Sequence, residues 1–168
     1  MEEISIRRAN EEDLDAIWDI FRAHLAAGET YSFEAHTPKS VCAEYWLGPN
    51  VDSFVAADQA GRVLGMYRIV PNQPGRGAHV ANASYMVSAA AQGRGIGFLM
   101  GRHSLAEARR LGYLAMQFNY VVSTNEPAVA LWRKLGFSIV GTLPKAYRHE
   151  RLGYVDALVM YRLLDEIA

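Results

Sequence analysis

Glycine alternates with other residues in one short segment, and this spacing is suited to binding an anion. Residues 92–97 read Gln-Gly-Arg-Gly-Ile-Gly, after a predicted strand that ends near Val87 and before a predicted helix that runs to about Leu111. Glycines let a ligand approach the backbone closely, and the first turn of a helix directs unpaired N–H groups and partial positive charge toward one point. The pattern therefore predicts a pyrophosphate site at the start of this helix.

The spacing of these glycines disfavours two common nucleotide-binding motifs. A P-loop ends in Gly-Lys followed by Ser or Thr, and the segment has no such ending. The dinucleotide fingerprint requires a third glycine three positions after the second, where this sequence has Phe98. A glycine-rich turn that binds no ligand remains an alternative at this point.

The elements around this segment must position it, and hydrophobic periodicity predicts them. The predicted helices cover residues 14–27, 38–47, 97–111 and 125–135. The predicted strands cover residues 4–7, 53–57, 63–70, 79–87, 115–122, 137–142 and 155–163. The early strands suggest hairpins, whereas the later β-α-β steps need a parallel crossover. This order predicts an α/β fold with a mixed, mostly antiparallel twisted sheet of about seven strands and four helices on both faces.

Composition and charge disfavour several classes of protein. The chain has 168 residues, of which 51% are hydrophobic and 21% charged, and 17 basic residues balance 18 acidic ones. These values predict a single globular domain over residues 1–168. The balanced charge argues against a nucleic-acid partner, and no apolar run approaches the ~20 residues that span a bilayer. The single cysteine, Cys42, excludes an intrachain disulfide and favours a cytoplasmic setting.

Two motifs together resemble the GCN5-related N-acetyltransferase (GNAT) family. Residues 92–97 are similar to that family's acetyl-CoA loop, Gln/Arg-x-x-Gly-x-Gly/Ala. The family's second signature is an Asn, an Ala three residues later, an aromatic residue and a final Gly-Phe. In this sequence the second signature consists of Asn125, Ala128, Trp132, Gly136 and Phe137. One predicted strand separates the two motifs, as it does in the family.

The resemblance implies the acyl-CoA N-acyltransferase fold and an N-acetyltransferase that uses acetyl-CoA as co-substrate. The pantetheine arm would hydrogen-bond to the main chain at Met86 and Val87 like an added strand, and Asn125 would contact the arm. The acceptor amine would attack the thioester carbonyl directly, a main-chain N–H near Val87 would stabilise the oxyanion, and the CoA thiolate would leave. The pyrophosphate would bind main-chain N–H groups of Gln92, Gly93, Arg94, Gly95, Ile96 and Gly97.

Two asparagines in predicted strands resemble those of fungal acetyltransferases that act on the proline analogue L-azetidine-2-carboxylate. Asn82 precedes the glycine segment, and Asn119 lies six residues before Asn125. The resemblance implies that Asn82 and Asn119 serve substrate binding and catalysis, and that the acceptor is a small amine such as an amino acid or its analogue. Asparagine is rare in strands and needs hydrogen-bond partners when buried, so a structural role for both residues stays open.

The sequence departs from the family at the tyrosine that protonates the departing thiolate in many relatives. Trp132 stands there, and its indole N–H is too weak an acid for this role. Either the thiolate leaves unassisted, which a thiol pKa near ~8.5 permits, or another group such as Tyr120 or Tyr147 protonates it. None of the five histidines has metal-ligand spacing, so no metal is predicted. Two alternative functions are acetylation of a protein or peptide and non-catalytic sensing of CoA. The oligomeric state, with a homodimer among the alternatives, also stays open.

Overall fold

The computed structural model describes residues 3–165, so residues 1–2 and 166–168 of the predicted domain lie outside the description. Within the described residues the strands are β1 Ser5–Arg8, β2 Asp52–Ala57, β3 Val63–Pro71, β4 Val80–Val87, β5 Ala115–Val122, β6 Ser138–His149 and β7 Gly153–Leu163. The helices are α1 Leu14–Ala27, α2 Lys39–Leu47, α3 Ile96–Arg110 and α4 Glu126–Lys134. Each predicted helix and strand is present, with small shifts at most boundaries.

The strands form one mixed sheet in the order β1-β2-β3-β4-β5-β7-β6. Adjacent strands are antiparallel except β4 and β5, which are parallel. This parallel pair is short: it extends from Val80 opposite Ala115 to Asn82 opposite Gln117, after which the strands diverge. The space between β4 and β5 beyond Asn82 is called the gap below, because it lies at the centre of the candidate site.

Apolar side chains cover both faces of the sheet. Helices α3 and α4 pack on one face around Tyr67, Met100, Phe118 and Trp132. Helices α1 and α2 pack on the other face around Phe21, Trp46, Met66 and Met86. Burial of this apolar area is the main source of stability in such a layered domain. The predicted α/β fold with a mixed sheet and helices on both faces is confirmed.

Strand β6 is longer than the sequence predicts. The prediction ended this strand at residue 142, whereas β6 continues to His149 through irregular pairing between Leu143 and Tyr147. Lys145 has a φ of +51° within this irregular stretch, and its backbone N–H donates to Asp156 Oδ1 at 2.9 Å. Pro144 lies there too, and proline is usually excluded from strands except at bulges and edges. The extension brings the end of β6 back toward the gap.

Candidate active site

The glycine segment forms an open turn at the start of α3. Gly93 and Gly95 have φ of +75° and +79°, in the left-handed region that favours glycine. A Cβ added at either position would meet no other atom within 4 Å, so a ligand has room to approach the backbone. Gly97 is different, because its Cβ would lie 3.2 Å from Leu131 Cδ2 on α4. The turn therefore has the open backbone that a pyrophosphate requires.

Two adjoining cavities lie on either side of the gap. The larger cavity has a volume of about 760 Å³ and contacts the glycine turn. The smaller cavity has a volume of about 280 Å³ and lies on the side where β4 and β5 begin to diverge. The residues that line both cavities include Tyr31, Tyr85, Asn125 and Trp132. These four side chains therefore surround the passage between the two cavities.

Most of the predicted cofactor residues line the larger cavity. These residues are Met86, Val87, Gln92, Gly93, Gly95, Ile96, Gly97 and Asn125. Arg94 belongs to the same turn but is not part of the cavity wall. Asn125 is also the N-cap of α4, where its Oδ1 accepts a hydrogen bond from Ala128 N at 3.4 Å. The structure thus brings the two sequence motifs together around a single cavity.

The two predicted asparagines line the smaller cavity from opposite sides of the gap. Asn82 Nδ2 donates to Asn72 Oδ1 at 3.2 Å, and Asn119 Oδ1 accepts from Gln117 Nε2 at 2.8 Å. Pairing of β5 with β7 is irregular between Phe118 and Val121, so Asn119 lies in a bulge, which changes the direction of a side chain. Within residues 3–165, Asn82 Oδ1 and Asn119 Nδ2 have no hydrogen-bond partner. Both can therefore bind a ligand.

Alternate residues of β4 direct their backbone polar groups toward β3 and toward the gap. Ser88 N donates to Leu64 O on β3, whereas Tyr85 N–H and C=O bond to a side chain across the gap. By this alternation Val87 also faces the gap, and Met86 faces β3. Sequence reasoning placed main-chain contacts at Met86 and Val87. In this register the backbone groups of Tyr85 and Val87 face the gap and those of Met86 face β3, and the main-chain contacts with acetyl-CoA stay a prediction.

Side chains from α1 and the following loop form hydrogen bonds with these gap-facing backbone groups. The Tyr31 hydroxyl donates to Tyr85 O at 2.6 Å and accepts from Tyr85 N at 2.9 Å. His24 Nε2 lies 2.9 Å from Val87 O, and because a carbonyl only accepts, this nitrogen carries the proton. Burial raises the pKa of Tyr31 far above its ordinary value, so the phenol stays neutral. Sequence reasoning assigned no such role to Tyr31 or His24.

Trp132 is a packing residue of the passage. It is 7% exposed, and its ring centroid lies 4.6 Å from that of Tyr85 and 4.7 Å from that of Phe118. The two tyrosines predicted as substitutes have hydroxyls that donate to carbonyls, Tyr120 to Ala146 O and Tyr147 to Tyr31 O. Burial also raises the pKa of Tyr147. The geometry therefore gives neither tyrosine an evident role as the acid.

His149 lines the larger cavity and was missed because β6 was predicted to end too early. Its Nδ1 accepts hydrogen bonds from Arg151 N at 3.1 Å and Leu152 N at 3.3 Å. The ring proton therefore lies on Nε2, which makes this histidine a donor toward a ligand rather than a base. In the part of the chain that the structure describes, no three His, Cys, Asp or Glu side chains are placed to hold a metal ion.

A cation lies next to the smaller cavity. The Arg68 guanidinium stacks 3.4 Å from the centre of the Tyr45 ring, and its Nη1 donates to Tyr45 O at 3.0 Å. The Tyr45 hydroxyl in turn shares a 2.7 Å hydrogen bond with Ser84 Oγ, and both residues line the cavity. Arg68 Nε is buried without a hydrogen-bond partner, and no carboxylate of residues 3–165 pairs with this arginine.

Comparison with known proteins defines the class of this molecule. Residues 14–137 match the family model described as the acetyltransferase (GNAT) family. The chain therefore belongs to the GNAT family, as the two sequence motifs predicted. The open glycine turn and the larger cavity fit the acetyl-CoA that this family uses. Across the described residues, no helix is long and apolar enough to cross a membrane.

Individual relatives agree with this assignment. The N-acetyltransferase aca1 of Schizosaccharomyces pombe is 35% identical over 135 residues, which cover 78% of this chain and 64% of that protein. A GCN5-related N-acetyltransferase from Kribbella flavida is 44% identical, with a TM-score of 0.92 over 95% of this chain and 97% of that one. The ribosomal-protein-alanine N-acetyltransferase of Brucella melitensis is 26% identical, with a TM-score of 0.84 over 95% and 99% of the two chains. The acyl-CoA N-acyltransferase fold is confirmed.

Proposed function

We propose that this protein transfers the acetyl group of acetyl-CoA to the amine of a small acceptor that carries a carboxylate, such as an amino acid or an analogue. The observation that carries the proposal is the smaller cavity, which Asn82 and Asn119 line from β4 and β5, with the Arg68 guanidinium stacked on Tyr45 of its wall. Its volume of about 280 Å³ is at the low end for ligand sites, which favours an acceptor of amino-acid size.

Acetyl-CoA would lie in the larger cavity. Its pyrophosphate would bind the backbone N–H groups of residues 92–97, where the α3 dipole adds partial positive charge. Its pantetheine arm would lie along β4 and hydrogen-bond to the gap-facing backbone of Tyr85 and Val87, like an added strand. Asn125 lines both cavities and would contact the arm where it passes between them. The thioester would then reach the passage at Trp132.

The chemistry requires few side chains. The acceptor amine attacks the thioester carbonyl, and the Tyr85 N–H, which faces the gap, stabilises the developing oxyanion. The C–S bond breaks and its electron pair leaves on the CoA sulfur, which needs no obligatory acid because a thiol has a pKa near ~8.5. Solvent water would accept the ammonium proton. Asn82 and Asn119 orient the acceptor.

A second candidate acceptor is the N-terminal amine of a protein, since the Brucella melitensis relative is named for ribosomal-protein alanine. The aromatic wall of the smaller cavity favours the small acceptor instead. Phe33 and Tyr45 pack edge to face with ring centroids 5.0 Å apart, and Phe33 also packs on Phe21 at 5.3 Å. This cluster leaves little width for a polypeptide. Sensing of CoA without catalysis remains the non-enzymatic alternative.

An acceptor panel tests the proposal. Release of free thiol from acetyl-CoA would be followed with amino acids, L-azetidine-2-carboxylate, the matching carboxamides, and peptides that begin with alanine. We expect turnover with free carboxylates and a lower kcat/KM with the carboxamides, because the attraction between the carboxylate and the nearby Arg68 cation would be lost. Turnover with peptides alone would support the second candidate. Acetyl-CoA binding without any turnover would support the sensor.

Substitution of the asparagines tests their proposed roles. We expect Asn82→Ala to lower kcat/KM by about 10- to 1000-fold while acetyl-CoA still binds, because a positioned amide near the reacting amine is lost. Asn119→Ala should act in the same direction. Asn72→Ala is the matched control, since it removes only the Asn82 partner within the chain. Equal losses of stability and activity in Asn72→Ala and Asn82→Ala would show that Asn82 is structural.

A further inference from the structure

The gap in the sheet leaves backbone groups of β4 without a strand partner. Beyond Asn82 opposite Gln117, β4 and β5 no longer pair, yet Tyr85 still directs its N–H and C=O into the gap. A buried backbone donor or acceptor without a partner is costly, so nearly all such groups in proteins are paired. In the free protein one hydroxyl, that of Tyr31, satisfies both groups of Tyr85.

These are the backbone groups that acetyl-CoA needs. In the proposed complex, which this inference takes as its starting point, the arm of acetyl-CoA bonds to the gap side of β4 and the thioester oxygen bonds to the Tyr85 N–H. The Tyr31 hydroxyl cannot keep both of its hydrogen bonds while the thioester occupies this position. His24 occupies the neighbouring Val87 carbonyl at 2.9 Å. Two side chains therefore already make the hydrogen bonds that the ligand would make.

We propose that Tyr31 is an internal substitute for acetyl-CoA, and that its displacement by the cofactor opens the acceptor site. Tyr31 lies in the acceptor loop, defined here as residues 28–37 between α1 and α2. Its ring lines both cavities, so a displaced Tyr31 alters the wall of the smaller cavity.

The other contacts of the acceptor loop allow a local movement. Tyr147 OH donates to Tyr31 O at 3.1 Å, and Glu150 N donates to Gly28 O at 3.1 Å. Both hold the loop backbone to β6 and the turn after it without engaging the Tyr31 hydroxyl. The Tyr31 side chain can therefore leave the gap while the loop backbone stays attached. The neutral phenol both donates and accepts, which is what allows one group to satisfy Tyr85 N–H and C=O together.

Tyr31→Phe tests the proposal, with Tyr45→Phe as the matched control. Both substitutions remove one phenol hydroxyl from the aromatic cluster, but the Tyr45 hydroxyl bonds to Ser84 and not to the gap backbone. Acetyl-CoA affinity is measured by calorimetry, and stability by thermal unfolding with and without acetyl-CoA, always without an acceptor. We expect Tyr31→Phe to bind acetyl-CoA about 5- to 150-fold more tightly, since the two hydrogen bonds of the Tyr31 hydroxyl, together about 1–3 kcal/mol, no longer compete with the ligand.

The thermodynamic cycle that links folding to acetyl-CoA binding also determines the expected unfolding temperatures. Tyr31→Phe should unfold at lower temperature than wild type when free, and this difference should vanish at saturating acetyl-CoA. Tyr45→Phe should lower the unfolding temperature equally with and without acetyl-CoA and leave the affinity unchanged. Unchanged or weaker acetyl-CoA binding by folded Tyr31→Phe would overturn the proposal.

Hydrogen exchange on the wild type gives a second test that needs no variant. Amides of residues 32–37, which follow the backbone bonds at Gly28 and Tyr31, should exchange faster after acetyl-CoA binds because the Tyr31 hydroxyl no longer anchors this part of the loop. Simple coverage by a ligand would slow them, and slower exchange would overturn the proposal. Because no acceptor is present, a wrong assignment of the acceptor class leaves both tests intact. Failure of the wild type to bind acetyl-CoA would contradict the proposed cofactor site and this inference together.

Discussion

Replacing Trp132 by phenylalanine separates a packing role from a chemical one. The indole is 7% exposed and packs in the passage against Tyr85 at 4.6 Å and Phe118 at 4.7 Å between ring centroids. Phenylalanine keeps an aromatic ring in this position but removes the N–H and part of the buried area. If Trp132 only packs, the variant should lose stability and keep most of its catalytic rate.

The expected magnitude follows from burial. Loss of about one fused ring from a nearly buried site removes transfer free energy and leaves a small cavity, together about 1–2 kcal/mol. For a domain of this size that corresponds to a fall in the unfolding temperature of about 2–8 °C. We expect kcat to fall by less than about tenfold, because the indole N–H is too weak an acid to transfer its proton to the thiolate.

Thermal unfolding followed by circular dichroism, together with steady-state kcat, measures both effects. Trp132→Tyr is the informative companion, since it places a phenol where many relatives have one. A higher kcat in Trp132→Tyr would show that departure of the thiolate limits the wild-type rate. A loss of kcat beyond about 100-fold in folded Trp132→Phe would refute the packing interpretation.

Three further substitutions test the glycine turn, the contact at Gly101 of α3 and the loss of stability at acid pH. Gly95→Ala places a Cβ on the open side of a turn with φ +79°, so it should cost about 1–2 kcal/mol in urea unfolding and weaken acetyl-CoA binding by at least about tenfold in calorimetry. Gly101→Ala places a Cβ 2.4 Å from Leu135 Cδ1, which must shift, but alanine gains about 1 kcal/mol of helix propensity inside α3, so the protein should lose no more than about 2 kcal/mol in urea without a change in acetyl-CoA affinity. The Arg7 guanidinium holds the pKa of Asp13 below its usual range. The Arg7–Asp13 ion pair therefore stabilises the folded protein above the ordinary carboxyl pKa of ~3.9, and this stabilisation is lost as pH falls through the folded-state pKa of Asp13. Asp13→Asn should therefore lower stability at pH 7 and flatten the decline of stability below about pH 4 in acid titrations.

Local sequence patterns were sufficient to predict the helices and strands but not all of the residues at which they end. Apolar spacing predicted four helices, and turn residues separated seven strands, as observed. The predicted strand ended at residue 142, whereas β6 continues past Pro144, a residue type that normally ends a strand but here lies in a bulge next to Lys145 at φ +51°. The missing half of β6 carries Tyr147 and His149. A proline that lies within a bulge cannot be distinguished by sequence from one that ends a strand.

The cofactor side of the site was more predictable than the acceptor side. Residues 92–97 are contiguous, and their glycine spacing gives the open backbone that a pyrophosphate would require. The resemblance pointed to Asn82 and Asn119, and both line the smaller cavity, although their roles stay a prediction. Arg68 gave no such signal, since a charged residue in a strand commonly faces solvent. Only the structure shows that its guanidinium stacks on Tyr45 beside the smaller cavity.

The contact between Tyr31 and Tyr85 lay beyond any sequence pattern because it depends on register. The two residues are 54 positions apart, and their bond forms only because β4 and β5 stop pairing after Asn82. The same divergence makes room for acetyl-CoA and creates the unpaired backbone groups that need a partner. In the proposed complex, the stability of the free protein and its affinity for acetyl-CoA both depend on the N–H and C=O of Tyr85. Stronger hydrogen bonds from Tyr31 to these groups would therefore stabilise the free protein and weaken the binding of acetyl-CoA.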